Sequence, residues 1–325
     1  MIDRRTVLAG PLAVLSAYLL TGTRSGFAQT FPSRPVRLIV PFPVGQASDI
    51  FARRFCDHFE RQLGQSFVVE NRTGAGGNLG AASVARSAPD GYTLLWGTNA
   101  THAGNEFLYA KLGYDPANDF EPIAPALGFA MVVAVIQGSK IQSVADMLAA
   151  ARAKPGGLSV GLPSNTSRVV FQLFREKTGI DVLQVPYSGS GQALIGLLRN
   201  DVQVVVDTVP ALLGPIRSQQ VKPLATSTER RSKSLDNVPT LKEIGIDVTL
   251  EAWNALYAPR GTPVEIIQTM NQAVETALAD EALRARLVQD GAEPLGGSPE
   301  TLMTLMRNDR AVWEPIVRSL GLVAQ

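Results

Sequence analysis

Apolar and polar positions along this chain change period in blocks from Val36 onward. VRLIVPF is a continuous apolar run rich in β-branched residues, which predicts a buried strand. In ASDIFARRFCDHFERQLG, Phe51, Phe55, Phe59 and Leu63 recur every four residues, with Ile50 and Cys56 widening the stripe. That spacing predicts an amphipathic helix ended by Gly64. SFVVE predicts a second strand, NLGAASVARSA a second helix, Pro89-Asp90-Gly91 a turn and YTLLWGT a third strand. The order strand–helix–strand–helix–strand begins a parallel sheet with helices on both faces.

Residues 99–122 read as a loop-rich stretch, and PIAPALGFAMVVAVI as one long β segment. Then come a helix over SVADMLAAARAKPGG, strand LSVGL, helix SRVVFQLFREKTG, strand VLQVPY, helix GQALIGLLRN and strand DVQVVVDT. A short helix over PALLGPIRSQQ and strand VKPLATST complete a second α/β unit, which strand TLEAWNALYAP leaves. The remainder is helical, with Pro263 and Pro299 at early helical positions. The order predicts one α/β lobe, 29–130 plus 251–325, with a second lobe, 131–250, inserted in it. Two crossing strands, near 123–135 and 249–258, join them. A cleft between two such lobes is a natural ligand site.

Composition narrows the classes. The chain has 325 residues, 45% hydrophobic and 18% charged, with 29 Gly and 21 Pro. That suits a turn-rich α/β protein and excludes a coiled coil or a disordered chain. Residues 1–28 read as a signal peptide: Arg4 and Arg5, the short apolar run PLAVLSAYLL, then Gly26 and Ala28 before Gln29. The paired arginines followed by Thr6 leave twin-arginine and general secretory export both open. Without that segment 27 basic residues face 28 acidic ones, so no basic surplus points to nucleic acid. No later apolar run reaches spanning length, so the expectation is a periplasmic chain without stable membrane insertion. Cys56 is the only cysteine, and no zinc or CxxC pattern occurs.

ENRTGAGGNLGAASVA, residues 70–85, looks at first like a dinucleotide fingerprint. It reads G-A-G-G-N-L-G, with no glycine three after Gly76, and follows the second strand rather than the first. What remains is a helix start with glycines cleared for close approach, suited to an anionic oxygen. PFPVGQASD, GTNATH, GLPSNTSR and VPYSGSGQA also sit at predicted strand ends and are rich in small polar residues. Together they describe a pocket of helix N-termini and hydroxyls, sized for a small carboxylate.

The segments RPVRLIVPFPVGQASDIFAR, VENRTGAGGNLGAASVARSAPDGYTLL, YDPANDFEPIA, VPYSGSGQALIGLLRNDVQVVVDTVPALL and PTLKEIGIDV…AWNALYAPRGTP resemble the Bug family, the periplasmic receptors of tripartite tricarboxylate transporters. The resemblance runs in order through nearly all of the chain after Phe31. It implies a type II periplasmic-binding-protein fold, two α/β lobes closing on a carboxylate, with no cofactor, no metal and no catalysis. It also implies a monomer that hands its ligand to transporter membrane subunits. Direct and water-mediated ligand contacts both stay open. Carried over by position, the ligand-binding residues are Phe42, Gly45, Ala47, Ser48 and Asp49; Ala75, Gly76 and Gly77; Thr98, Asn99 and His102; and Tyr187, Gly189 and Asp207.

The chain departs from the family twice. Gln46 places a side chain where many relatives have glycine, and Arg168 stands at or near a helical His. Ser164, Asn165 and Thr166 remain candidate contacts beside it. Each candidate has a plainer reading. Asp49 can simply offset the first helix dipole, Asp207 can orient loops, Tyr187 can be an apolar wall, and Arg168 can face solvent. His102 fits a loop-ordering partner, and His58 reads as a surface residue of its helix. An enzyme is the weaker class: only His58 and His102 offer imidazoles, and no H-x-x-x-H or G-x-S-x-G pattern occurs. A periplasmic sensor subunit feeding a signalling partner is not separable from a transport receptor by sequence.

Overall fold

The computed structural model describes residues 31–319; the export signal expected at 1–28 lies outside them. The elements are β1 (Val36–Val40), α1 (Ala47–Leu63), β2 (Phe67–Asn71), α2 (Asn78–Ala85), β3 (Thr93–Thr98), α3 (Asn105–Leu108), β4 (Phe120–Phe129) and β5 (Met131–Ile136). They continue with α4 (Val144–Ala153), β6 (Ser159–Leu162), α5 (Asn165–Thr178), β7 (Leu183–Pro186), α6 (Ser190–Leu198), β8 (Val204–Thr208), α7 (Val209–Arg217) and β9 (Val221–Thr226). The last are β10 (Ala252–Pro259), α8 (Val264–Ala279), α9 (Glu281–Gln289), β11 (Ala292–Pro294) and α10 (Pro299–Ser319).

These strands form two mixed sheets in a two-lobed α/β fold. One has the order β11-β4-β10-β3-β1-β2, the other β7-β6-β8-β5-β9. Within them β1 is parallel to β2 and β3, and β6 is parallel to β7 and β8. The antiparallel pairs are β10 against β3 and β4, β11 against β4, and β5 against β8 and β9. The long β segment expected over 122–136 is two strands. Phe129 pairs with Ala252 in the first sheet, and two residues later Met131 pairs with Thr208 in the second. Around the change of sheet, Val209 N–H donates to Ala130 O at 2.8 Å, Ser227 N–H to Met131 O at 2.9 Å and Leu250 N–H to Ser227 O at 3.0 Å. Sheet ends that feed parallel strands into helices thus meet across this junction, where α/β folds present ligand-binding loops.

The core follows the apolar runs with informative exceptions. On α1, Phe51, Phe55, Cys56 and Phe59 are buried, and Phe55 packs on Trp96 with ring centroids 5.0 Å apart. Ile50 is exposed, so the stripe is narrower than expected on that side. His58 is not a surface residue: it is 8% exposed, with Nε2 3.5 Å from Asp280, the N-cap of α9. It lies seven residues after Phe51, hence on the same helical face, and the α8–α9 corner covers it. The stretch after Asn99 is also more ordered than a loop, because residues 100–104 form a π-helical turn running into α3.

Candidate functional site

A cleft of about 470 Å³ opens between the carboxyl ends of the two sheets, a volume suited to a small molecule. Five helices begin at it: α1, α2, α5, α6 and α7, through lining residues Gln46–Ser48, Gly76–Gly77, Ser164–Thr166, Ser190 and Thr208. The N-terminal turns of α1, α2, α6 and α7 have no side-chain cap hydrogen bond. Of the helices that begin elsewhere, α4 and α9 are capped by Ser143 and Asp280, whereas α8 and the short α3 have no side-chain cap. An uncapped first turn leaves N–H groups and the positive dipole end for a bound anion, except on α7, where Thr208 and Val209 N–H already donate to Asp207 and Ala130 and Pro210 has none.

The β1–α1 loop brings Phe42, Gln46, Ala47 and Ser48 to the cleft. Asp49 and Gly45 stand behind it. Asp49 is 2% exposed and accepts from Gly45 N–H at 2.9 Å, from Arg53 at 2.9 and 3.1 Å, and from Asn71 Nδ2 at 2.9 Å. Burial pushes its pKa up, but the bonds from Arg53, Gly45 and Asn71 outweigh burial and hold it below the ordinary value. Asp49 therefore shapes the loop and does not line the pocket.

The glycine turn runs at positive φ throughout: Gly74 129°, Ala75 47°, Gly76 64° and Gly77 98°. A Cβ on Gly76 would stand 2.5 Å from Asn165 Nδ2 and 2.6 Å from Tyr109 Oη, and one on Gly77 2.9 Å from Thr101 Cγ2. The glycines thus admit both the left-handed backbone and the approach of the opposite wall. Ala75 holds the same backbone region without that freedom, a strained residue on the cleft surface. Behind the turn, the buried Asn105 donates to Gly76 O at 3.0 Å and Asn78 Oδ1 at 2.6 Å, and Tyr114 Oη donates to Thr101 O at 2.7 Å.

Thr98 and Asn99 line the cleft; His102 does not. Its ring is fully buried, stacked on Tyr257 at 3.8 Å, with Nδ1 2.9 Å from Thr101 Oγ1. Burial lowers its pKa to about 3, so it stays neutral and serves the packing of β3 against β10.

On the opposite wall, Ser164, Asn165, Thr166, Arg168, Tyr187 and Asp207 line the cleft, while Gly189 lies outside its lining. Gly189 is instead the place where Gln46 reaches across, since a Cβ there would stand 2.7 Å from Gln46 Nε2. Other contacts join the walls as well: Asn165 Nδ2 donates to Asn105 Oδ1 at 2.9 Å and to Tyr109 Oη at 3.3 Å, and Thr166 Oγ1 to Asn99 Oδ1 at 3.3 Å. Ser164 and Ser167 form a reciprocal capping box on α5. That helix start is therefore already satisfied, and it presents side chains instead.

The charged side chains among the described lining residues are Arg168 and Asp207. Arg168 is half-buried, and its Nη1 lies 3.5 Å from the neutral Asn165 Oδ1. Asp207 is 2% exposed and accepts from Thr208 N–H at 2.7 Å, and burial pushes its pKa up to about 6. Lining residues that were not among the expected contacts include Tyr109, Phe129, Trp253 and Asn254. Trp253 and Asn254 reach the cleft because β10 threads between β3 and β4, a placement without local signal. No group of three or more His, Cys, Asp or Glu able to hold a metal exists among the described residues. No helix of the described residues is long and apolar enough to cross a membrane.

Comparison with known proteins agrees with this geometry. The model of the tripartite tricarboxylate transporter family receptor, TctC, matches residues 51–322. Protein BugT of Bordetella pertussis is 32% identical over 316 residues, 95% of this chain and 97% of that protein. An R. palustris protein solved with adipate is 35% identical with TM-score 0.87, covering 90% of this chain and 98% of its own. MatC from Rhodopseudomonas palustris, solved with bound malate, is 31% identical with TM-score 0.82, covering 88% and 100%. The Bug resemblance rests on these matches as well as on the quoted segments: the chain belongs to the family of tripartite tricarboxylate transporter receptors.

Proposed function

We propose that this chain is a periplasmic receptor that takes a small organic dicarboxylate into the cleft and passes it to the membrane subunits of a tripartite tricarboxylate transporter. The observation that carries the reading is the set of uncapped helix starts, on α1, α2 and α6, around a cleft where Arg168 is the one cationic lining residue among the described residues. One carboxylate is held by backbone N–H groups and hydroxyls of the helix starts. Arg168 receives the second through charge-assisted hydrogen bonds. Lobe 29–130 plus 251–325 and lobe 131–250 close because the ligand touches both walls, which lowers the free energy of the closed state relative to the open one. The adipate and malate seen in the two relatives are dicarboxylates of the size this reading requires.

Calorimetry on the purified chain with a series of mono- and dicarboxylates tests it. The expected result is saturable binding of at least one dicarboxylate with no turnover. Arg168→Ala should weaken that dicarboxylate by roughly 10- to 100-fold, in keeping with the ~1.5–3 kcal/mol of a hydrogen bond to a charged group, and leave monocarboxylates within a few-fold. Full dicarboxylate affinity in Arg168→Ala removes the role of that residue. Chemical conversion of any bound acid would defeat the receptor reading.

A further inference from the structure

Gln46 stands at the start of α1 without capping it, and its side chain crosses the cleft instead. It is half-buried and lines the cavity from lobe 29–130 plus 251–325. A Cβ built on Gly189, the N-cap of α6 in lobe 131–250, would stand 2.7 Å from Gln46 Nε2 and 3.7 Å from Gln46 Cδ. The carboxamide therefore lies against the Gly189 backbone. The nearest atom to that point outside Gln46 is Pro43 Cγ, at 3.9 Å. One side chain thus makes the close contact between the β1–α1 loop and the start of α6.

Both ends of this contact are held within their own lobes. On one side, Asp49 accepts Gly45 N–H at 2.9 Å, Asn71 Nδ2 donates to Phe42 O at 2.9 Å and Gln46 N–H donates to Pro43 O at 3.3 Å. On the other, Ala193 N–H donates to Gly189 O at 3.2 Å, and Ser188 Oγ donates to Gln192 Oε1 at 2.7 Å. Neither end can follow the other when the lobes part, so opening breaks the contact. The cross-cleft bonds of Asn165 and Thr166 run from α5. Gln46 fastens the same seam at a second helix.

We propose that Gln46 is a latch on the closed cleft, which sets how long a ligand stays rather than which ligand enters. This rests on the receptor reading above and adds a residue that governs release. A bound acid leaves only after the lobes part. The latch forms after entry and breaks before exit, so losing it speeds release and leaves capture unchanged. Gly189 offers a second way to remove it. Its φ of 176° is extended backbone open to any residue, so alanine there strains nothing of its own and pushes the Gln46 amide aside.

Stopped-flow release of succinate, malate and adipate, followed by tryptophan fluorescence with Trp253 in the cleft lining, tests the latch. Gln46→Ala should release every acid that binds roughly 3- to 10-fold faster, as for one lost polar contact, with association within about twofold of wild type. Gly189→Ala should do the same, and adding it to Gln46→Ala should speed release no further, since both remove one contact. An unchanged release rate, a loss that falls on association, or additivity in the pair overturns the proposal. So does an acceleration that differs widely among the acids, the mark of a direct ligand contact. A second measurement needs no ligand: Gln46→Cys and Gly189→Cys in one chain, treated with a short bifunctional thiol reagent, while the native Cys56 is buried. Intact mass should show one bridging reagent per molecule; two singly attached reagents overturn the latch. Failure of all three acids beside a formed bridge would strike the receptor reading and not the seam.

Discussion

Replacing Gly76 by alanine separates the fold from the closure of the cleft. The residue lies at φ 64°, where a side chain costs about 1–2 kcal/mol. That cost is present whether the cleft is open or closed. At about 2–4 °C per kcal/mol for a chain of this size class, it should lower the melting temperature by a few degrees. The second cost arises on closure. The new Cβ would stand 2.5 Å from Asn165 Nδ2, which reaches it from the opposite wall. Tyr109 Oη, 2.6 Å away, comes from the same side as Gly76 and can shift with it. To close, Asn165 must give up its bonds to Asn105 and Tyr109. At a net ~0.5–1.5 kcal/mol each, the loss is about 1–3 kcal/mol, or roughly 5- to 150-fold in ligand affinity. Calorimetry with the tightest-binding dicarboxylate, beside thermal melts without ligand, reads both effects. Asn165→Ala made in the Gly76→Ala background should cost less than the sum of the two single changes, since each removes the same seam. Wild-type affinity in Gly76→Ala, or strict additivity in the pair, would refute the reasoning.

Two further changes test the frame behind the cleft. Asp49→Ala strips the acceptor from Gly45 N–H, Asn71 and Arg53 together. Equilibrium unfolding in urea should show a loss of about 2–4 kcal/mol, with ligand affinity falling as the β1–α1 loop loosens. Asp309 accepts the Trp253 indole N–H at 2.7 Å, and burial, with the Glu251 charge adding to it, raises its pKa to about 6. A carboxyl whose pKa is raised in the folded state holds its proton more tightly there. Its contribution to stability is therefore full below pH ~4 and is lost as pH rises through ~6. Asp309→Asn keeps an acceptor for Trp253 and has no charge to bury. It should exceed wild type by up to about 3 kcal/mol at pH 7–8, with the gap closing by pH ~4; a gap that does not change with pH refutes the assignment.

Local patterns carried the order of elements in the sequence, because a β-branched run or a four-residue Phe spacing states its own periodicity. They carried less where burial depends on a distant partner. His58 shares the face of Phe51, yet only the α8–α9 corner, from far along the chain, covers it. Asp49, His102, Gly45 and Gly189 sit in the right turns but point away from the cleft or against the other wall, and direction within a turn leaves no trace in composition. Asn254 and Trp253 depend on a strand inserted between two others from the opposite half of the chain. Even so, the four strand-end turns and the glycine turn named by their small polar residues all meet at one cavity.

What those turns withhold explains the design of the cleft. A side-chain cap is worth about 0.5–2 kcal/mol to a helix, and glycine at the N-cap forgoes little of it. α2 and α6 have glycine there, at Gly77 and Gly189, and α1 has Gln46, whose side chain reaches across to the other wall rather than to its own helix. α7 has Thr208, a good capping type, yet its hydroxyl makes no cap, and the Thr208 N–H is taken by Asp207. Two helices that start away from the cleft, α4 and α9, do use Ser143 and Asp280. α8 and the short α3 also start uncapped away from the cleft, so a missing cap is not peculiar to the site; what is peculiar is that the uncapped starts of α1, α2 and α6 converge on one cavity. The consequence is a receptor whose ligand-free form is the less stable one and whose melting temperature rises with ligand concentration by mass action. α5 is different: its start is closed by Ser164 and Ser167, so it contributes Asn165 to the seam and Arg168 to the cleft lining through side chains. Backbone groups accept any small carboxylate, so on the proposed receptor reading selection among ligands falls to polar side chains of the lining such as Arg168 and Asp207.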